Sequence, residues 1–255
     1  MMKRKQNSLD EQVFVCIDCE STGLDPDKDR IIEVAAARFT TKEVLGEVEW
    51  LIDPGVEIPE ESIKIHNITE DMVRGQPPFS SVVDELIDFI GNHIIVGHAV
   101  NFDIQLIQKE AERLGKSKPL EGNGIIDTVR LARHYGESPS NSLENLRQHF
   151  NIDEMGAHRA MNDVQVNISV FRYLAKAFRS TKEIQQLLKK PVKLKYMPLG
   201  PHKGRLIKEV PLEFLKWGAN KNFDEDLLFT IRSEIKRREK GQDFLQSSNP
   251  FLSLE

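Results

Sequence analysis

Cysteine is almost absent from this chain, with two among 255 residues. That scarcity excludes a cysteine-rich zinc site, which would need a second pair elsewhere. The two that exist, Cys16 and Cys19, have C-x-x-C spacing but lie in Val13-Phe14-Val15-Cys16-Ile17-Asp18-Cys19, which reads as a strand. Residues three apart on a strand face opposite sides of the sheet, so these thiols should not bond and are read as buried bystanders. Long hydrophobic runs are missing too. None approaches the roughly 18 apolar residues that span a bilayer. Residues 1–12 are polar and charged, with no apolar stretch of signal-peptide length. A cytoplasmic protein with no membrane partner is therefore expected, and no internal repeat argues for a solenoid.

What is present suits a soluble α/β protein. Hydrophobic residues make up 39% and charged residues 29%. The length allows one domain of about 170–180 residues plus something small. The net charge of −5 hides an asymmetry. Residues 1–178 carry 19 Lys/Arg against 30 Asp/Glu, a balance of −11, whereas residues 179–245 carry 16 against 9, a balance of +7. An acidic front half is compatible with a metal site, and a basic back end could grip a polyanion or be only a solvated surface.

Along the chain, alternation over residues 31–40 and 44–52, following a first strand at 13–20, predicts three antiparallel strands, with Thr41-Lys42-Glu43 as a hairpin turn. Pro54, Gly55 and Pro59 then interrupt regular structure, and residues 60–72 read as a loop with short helical turns. Helical periodicity follows at 79–90, 102–114, 128–135 and 161–178, and residues 142–150 start with a plausible cap. Short apolar runs at 94–96 and 125–126 read as strands between those helices. Three meandering strands followed by αβα units give a mixed five-stranded sheet flanked by helices. The expected division is a flexible start at 1–10, a main domain at 11–178, a connector at 179–191, a small basic domain at 192–241 and a flexible tail at 242–255.

Three blocks carry the chemistry. They are Asp18-Cys19-Glu20-Ser21-Thr22-Gly23, His98-Ala99-Val100-Asn101-Phe102-Asp103 and His158-Arg159-Ala160-Met161-Asn162-Asp163. Asp18 and Glu20 leave the same face of a strand with Cα atoms about 6.6 Å apart. Asp103 lies one turn into a helix that follows a strand, and Asp163 opens the next long helix. Four acids from three elements could meet at one end of the sheet. Such a cluster is costly without a cation among them, and carboxylate oxygens suit Mg²⁺ or Mn²⁺. A histidine nearby would be a proton acceptor near neutral pH. The pattern points to a metal-dependent phosphodiesterase; taken singly, each acid could equally be a helix cap or a surface group.

These blocks resemble the three exonuclease motifs of the DEDD superfamily, in the branch whose fifth residue is histidine. That family includes the proofreading subunit of bacterial replicative DNA polymerase, ribonuclease T and oligoribonuclease. Asp18, Glu20, Thr22 and Gly23 match its first motif; His98, Asn101, Phe102 and Asp103 its second; His158, Ala160 and Asp163 its third. The resemblance covers residues 10–178 and implies a ribonuclease-H-like fold, two Mg²⁺ or Mn²⁺ ions and 3′→5′ removal of nucleotides. It implies that Asp18, Glu20, Asp103 and Asp163 hold the metals and that His158 accepts the proton of the attacking water. Thr22, Gly23 and Leu24 resemble the turn that meets the terminal 3′-OH and the last base. His66-Asn67-Ile68-Thr69 resembles the H-G-I-T loop beside the terminal nucleotide, with Asn67 in place of Gly. Asn101 and Phe102 complete the expected substrate contacts, Phe102 by stacking on a base or, equally, as core. His98 is read as structural or substrate-adjacent, and Asp127-Thr128, which resembles the family's strand-end Asp-Thr pair, as structural.

The resemblance implies DNA as substrate, as a single-stranded or frayed 3′ end, in proofreading or repair, with a DNA polymerase subunit as a candidate partner. RNA 3′ ends are the nearest alternative, since no residue reads the 2′-hydroxyl decisively. A non-catalytic nucleic-acid-binding module on the same fold is the alternative from another class. After residue 196, Met197-Pro198-Leu199-Gly200-Pro201-His202-Lys203-Gly204 resembles a small M-P-F-G-K-Y-K-G domain appended to some such exonucleases. Leu199 and Pro201-His202 depart from that pattern. Gly200 and Gly204 with Lys203 and Arg205 could cradle phosphate. The preferred reading is tight turns around a core of Leu212, Phe214, Leu215 and Trp217.

Overall fold

A computed structural model describes residues 9–117, 119–136, 140–153 and 159–247, with side chains described through Lys240. Strands β1 (Phe14–Ser21), β2 (Ile31–Phe39) and β3 (Val44–Leu51) form an antiparallel meander. The Thr40 N–H donates to the Glu43 carbonyl across the hairpin at 2.8 Å. Helices α1 (Glu60–His66), α2 (Glu70–Val73) and α3 (Phe79–Ile90) lead to β4 (Ile94–Gly97). Helix α4 (Asn101–Arg113) then crosses to β5 (Ile125–Asp127), and helices α5 (Thr128–Tyr135), α6 (Leu143–His149), α7 (Ala160–Ala175) and α8 (Thr181–Leu188) follow. The sheet order is β3-β2-β1-β4-β5, with β4 parallel to both β1 and β5. This is the mixed five-stranded sheet expected from the sequence.

The central position of β1 follows from its composition, because it is apolar on both faces and can be covered twice. Phe14 and Cys16 face a core built with α5 to α8, whereas Val15, Ile17 and Cys19 face one built with α3 and α4. The two thiols are therefore free and on opposite sides of the sheet. Ala35 and Ala37 of β2 are fully buried in the same cluster as Val164, Ile168 and Phe171 of α7. Their short side chains leave room for α7 against the sheet. Phe14, Phe39 and Phe171 fill the remaining space with ring centroids 5.0 to 5.6 Å apart. Burying each such ring contributes about 1.5–3 kcal/mol. The N-terminus of α7 is thereby held close to the end of β1 that carries Asp18 and Glu20.

Contacts divide the chain into two compact units, Met1–Leu188 and Lys189–Glu255. The connector expected over residues 179–191 contains α8, whose Ile184 and Leu188 join the first unit's core. The flexible start expected over residues 1–10 is ordered from Leu9, which is buried and whose N–H donates to the Arg179 carbonyl at 3.3 Å; residues 1–8 lie outside the described residues. In the second unit, an antiparallel bridge joins Tyr196 to Leu206, and helices α9 (Leu212–Gly218) and α10 (Glu225–Ser247) follow. Met197, Ile207, Val210, Leu215, Leu227 and Ile231 form its core. Asp226 and Thr230 of α10 are buried beneath the entering chain, accepting the Val192 and Leu194 N–H groups at 2.9 and 2.8 Å. Helix α10 replaces part of the flexible tail expected from residue 242; residues 248–255 lie outside the described residues. The core expected here needs two corrections. Leu215 is buried and Phe214 packs against the core, but Leu212 lies outside it and so does Trp217, which is 50% exposed. No described helix is long and apolar enough to cross a membrane.

Candidate active site

Asp18 and Glu20 leave β1 on the face covered by α7, as alternation requires. Asp163 stands in the first turn of α7. One carboxylate oxygen from each of the three lies within 4.8 Å of the other two. Asp103, in the first turn of α4, is buried, and its Oδ1 accepts the Cys19 N–H at 2.9 Å. That bond fixes α4 to the strand between the two β1 acids. The sequence-expected acids thus come together, three at one point and Asp103 against the backbone beside them.

Burial and mutual repulsion dominate the electrostatics. Burial, with the charges of Asp103, Asp163, Glu20 and Glu33 added, holds Asp18 well above the ordinary carboxylate range. Burial and the Asp163 and Glu33 charges push Glu20 to about 8. Burial pushes Asp103 to about 7 despite the Cys19 N–H. A group of acids that hold protons near neutrality is a poor surface and a good cation site. The all-oxygen donor set fits Mg²⁺ or Mn²⁺ better than softer ions.

Two residues outside the expected set shape this cluster. Glu33 of β2 pairs directly across from Glu20 of β1 and is fully buried. It accepts Arg159 Nη2 at 2.6 Å and Nε at 2.9 and 3.2 Å, and the Ala160 N–H at 2.8 Å. The clamp holds the first residue of α7 against β2, three residues before Asp163. Arg159 also lowers the pKa of Glu20, opposing burial and the neighbouring acids. A signal for Glu33 was present in the sequence: a lone acid in the apolar strand Ile31-Ile32-Glu33-Val34-Ala35-Ala36-Ala37, on the face of Asp18 and Glu20. Nothing in the sequence alone named its partner.

A second polar chain crosses the core under the site. His98 Nδ1 lies 3.0 Å from Thr128 Oγ1, which is 2.7 Å from Asn167 Oδ1. The Asn167 amide donates onward to Cys16 Sγ at 3.4 Å. Thr128 Oγ1 also lies 3.1 Å from the Gly97 carbonyl, so the hydroxyl ties the imidazole and Asn167 to the end of β4. Burial pushes His98 down to about 4, so its ring is neutral at physiological pH. Asp127 accepts the N–H groups of Ala99 at 3.2 Å and Val129 at 2.8 Å. Ala99 has φ of 60°, a left-handed conformation costly for alanine, and Asp127 holds it there, just ahead of α4.

The expected substrate residues fall in two groups. Leu24 is 86% exposed at the tip of a turn, and Asn101 is exposed at the start of α4. Phe102 is partly buried and packs against the α3/α4 core. Thr22 is buried: its Oγ1 donates to Asp29 at 3.1 Å and accepts the Arg30 N–H at 3.0 Å. Gly23 is required beside it, because a Cβ there would meet the Asp29 carboxylate at 2.5–2.7 Å. His66 is buried with Nδ1 accepting the Ile68 N–H at 3.0 Å, so it shapes the turn between α1 and α2. Asn67 occupies that turn at φ 58°, a conformation Asn and Gly tolerate best, which explains its exchange for Gly. His158 lies outside the described residues.

The sheet order, its flanking helices and the acids at the end of β1 define a ribonuclease-H-like nuclease fold. The chain belongs to the Exonuclease family, which it matches over residues 15–171. It is 34% identical over 171 residues to DNA polymerase III subunit epsilon of Aquifex aeolicus, covering 67% of this chain and 83% of that one. It is 30% identical over 183 residues to the PolC-type DNA polymerase III of Clostridium perfringens, covering 71% of this chain but only 12% of the relative. E. coli exonuclease I in complex with a dA16 oligonucleotide has the same fold, with a TM-score of 0.61 at 22% identity over 69% of this chain and 43% of that one.

Proposed function

We propose that the first unit is a metal-dependent 3′→5′ exonuclease that hydrolyses the terminal phosphodiester of DNA and releases nucleoside 5′-monophosphates. The observation that carries this reading is the convergence of Asp18, Glu20 and Asp163 within 4.8 Å on a fold of the Exonuclease family. In this reading those three hold two Mg²⁺ or Mn²⁺ ions, with Asp103 organising the second. Bound ions of this kind lower the pKa of the attacking water and neutralise charge on the phosphate and the departing 3′ oxygen.

The chain's own residues supply the rest. Glu33 and Arg159 fix the start of α7 and so the position of Asp163. His158 takes one proton from the water as its oxygen forms the new P–O bond; the old bond to the 3′ oxygen breaks, and that oxygen is protonated from solvent. Exposed Leu24 meets the terminal base, and the Thr22–Gly23 turn, held rigid by Asp29, receives the 3′-OH. A DNA strand is favoured because relatives sharing 34% and 30% of the sequence are DNA polymerase III components. Proofreading or repair beside a polymerase subunit follows from the same relatives, and a cytoplasmic location is expected with it.

One assay tests substrate and chemistry together. Matched DNA and RNA oligonucleotides, single-stranded or with a mismatched 3′ end, are incubated with the full chain and Mg²⁺, Mn²⁺ or chelator. Faster shortening of DNA from the 3′ end, abolished by chelator, is expected. Preferential shortening of RNA would replace the substrate assignment, and no shortening of either would refute the enzyme.

A further inference from the structure

The exonuclease chemistry leaves the second unit without a role, yet its surface is organised. Residues 189–255 carry 14 Lys/Arg against 9 Asp/Glu, and residues 193–221 carry seven against two, so the whole positive excess lies in that shorter segment. The same segment holds a continuous row of rings. His202 meets Phe214 edge-on with centroids 4.7 Å apart, and Phe214 meets Trp217 at 5.1 Å. Trp217 is half exposed and takes no part in the core, although burying it there would have been favourable. Lys221 Nζ stands over the Trp217 ring, 4.9 Å from its centroid.

The loop at the head of the row is built to stay in place. The Met197 N–H donates to the Arg205 carbonyl and the Gly204 N–H to the Met197 carbonyl, both at 2.8 Å. Gly200 has φ of 71°, and a Cβ there would come within 3.4 Å of the Phe214 ring. Glycine accommodates that left-handed backbone, and the turn brings His202 onto the Phe214 ring. Lys203 and Arg205 are exposed on the same loop, and Arg205 Nη1 is 3.4 Å from His202 Nδ1. A row of rings that ends in an exposed tryptophan and is flanked by cations is the combination that binds a flexible polyanion through its bases and phosphates together. A purely apolar partner would leave the cations unpaired, and a simple counter-ion would leave Trp217 unused.

We propose that this row is a binding strip for single-stranded nucleic acid, with a base stacked on Trp217 and phosphates held by Lys203, Arg205 and Lys221. It would give the chain a grip on the strand separate from the site that cuts it, and in that sense it rests on the exonuclease reading.

The test measures binding of labelled dT20 to the full chain by fluorescence anisotropy in chelator, so that no cutting is needed. Trp217→Ala should weaken binding about tenfold, and Trp217→Phe should restore most of it. The triple change Lys203→Ala, Arg205→Ala, Lys221→Ala should reduce the slope of log K against log salt by about 2. Circular dichroism melts confirm folding, and the triple variant, confined to exposed side chains, serves if Trp217→Ala does not fold. Cleavage of thymidine 5′-monophosphate p-nitrophenyl ester, which offers a single base and no strand to grip, should be unchanged in every variant. Wild-type affinity and salt slope in both Trp217→Ala and the triple variant would overturn the strip. Failure of the wild type to cleave any substrate would overturn the exonuclease reading while leaving the binding result standing.

Discussion

Glu33 and Arg159 are unequal partners, and the inequality predicts an order of stabilities. The Glu33 side chain is fully buried, whereas the Arg159 side chain is 39% exposed. Arg159→Ala therefore leaves a carboxylate in the core beside Glu20 and Asp18, and losing the partner of a buried charge costs about 3–5 kcal/mol. Glu33→Ala leaves a guanidinium that can turn into water and one orphaned N–H, that of Ala160, worth about 1–3 kcal/mol. It also removes a charge that raises the pKa of both Glu20 and Asp18, which offsets part of that cost. The net expectation is about 3 kcal/mol for Arg159→Ala against about 1 kcal/mol for Glu33→Ala. The double variant should then sit near Glu33→Ala, because no buried charge remains, giving a coupling of about 3 kcal/mol. Urea unfolding at pH 7.5 in chelator, followed by Trp50 fluorescence in a Trp217→Phe background, reports the first unit alone. Additive effects, or a larger loss from Glu33→Ala, would refute the buried-charge reasoning.

The raised carboxyls make a pH prediction of definite sign. With Glu20 near 8 and Asp103 near 7, the folded chain keeps protons that the unfolded chain has released by about pH 5, so stability in chelator falls as pH rises from about 4 to 8. Mn²⁺ competes with those protons, and the rise in melting temperature it causes should be larger at pH 8 than at pH 5.5; an equal rise would contradict the cluster as the binding site. Asp18→Asn should melt higher than wild type in chelator and lose the response to Mn²⁺. Activity should rise with pH through roughly 6 to 8 as His158 becomes neutral. His98, pushed down to about 4, cannot supply that limb, so a rise shifted below pH 5 would move the base role to it. Gly23→Ala should displace the Asp29 carboxylate from Thr22 and raise KM for an oligonucleotide more than it lowers kcat. An effect on kcat alone would place the turn in the chemistry instead.

The sheet was legible because each strand reported its own environment. β1 and β2 are apolar on both faces, and helical periodicity marks α3, α4 and α7. The acids were legible for a related reason: Asp18 and Glu20 share a face by strand geometry, and the later blocks begin helices. Pairings that depend on three-dimensional approach were not. The Glu33–Arg159 clamp joins residues 126 apart, and the His98–Thr128–Asn167–Cys16 chain ties three elements to the loop after β4, so neither leaves a local pattern. Thr22 and His66 carried a family pattern that suggested open contacts, yet local hydrogen bonds bury both. In the second unit, turn residues hid the long α10, and Trp217 looked like core because hydrophobicity alone does not say which way a ring points.

The central claim is that Asp18, Glu20 and Asp163 act together on the terminal phosphodiester. The direct measurement follows a 5′-labelled, 3′-mismatched DNA duplex with the purified full chain in Mn²⁺ and identifies the small product by mass spectrometry. Stepwise shortening from the 3′ end with release of nucleoside 5′-monophosphate is expected, abolished both by chelator and in Asp18→Ala and Asp163→Ala chains that still fold. Undiminished digestion in either folded variant would contradict the site.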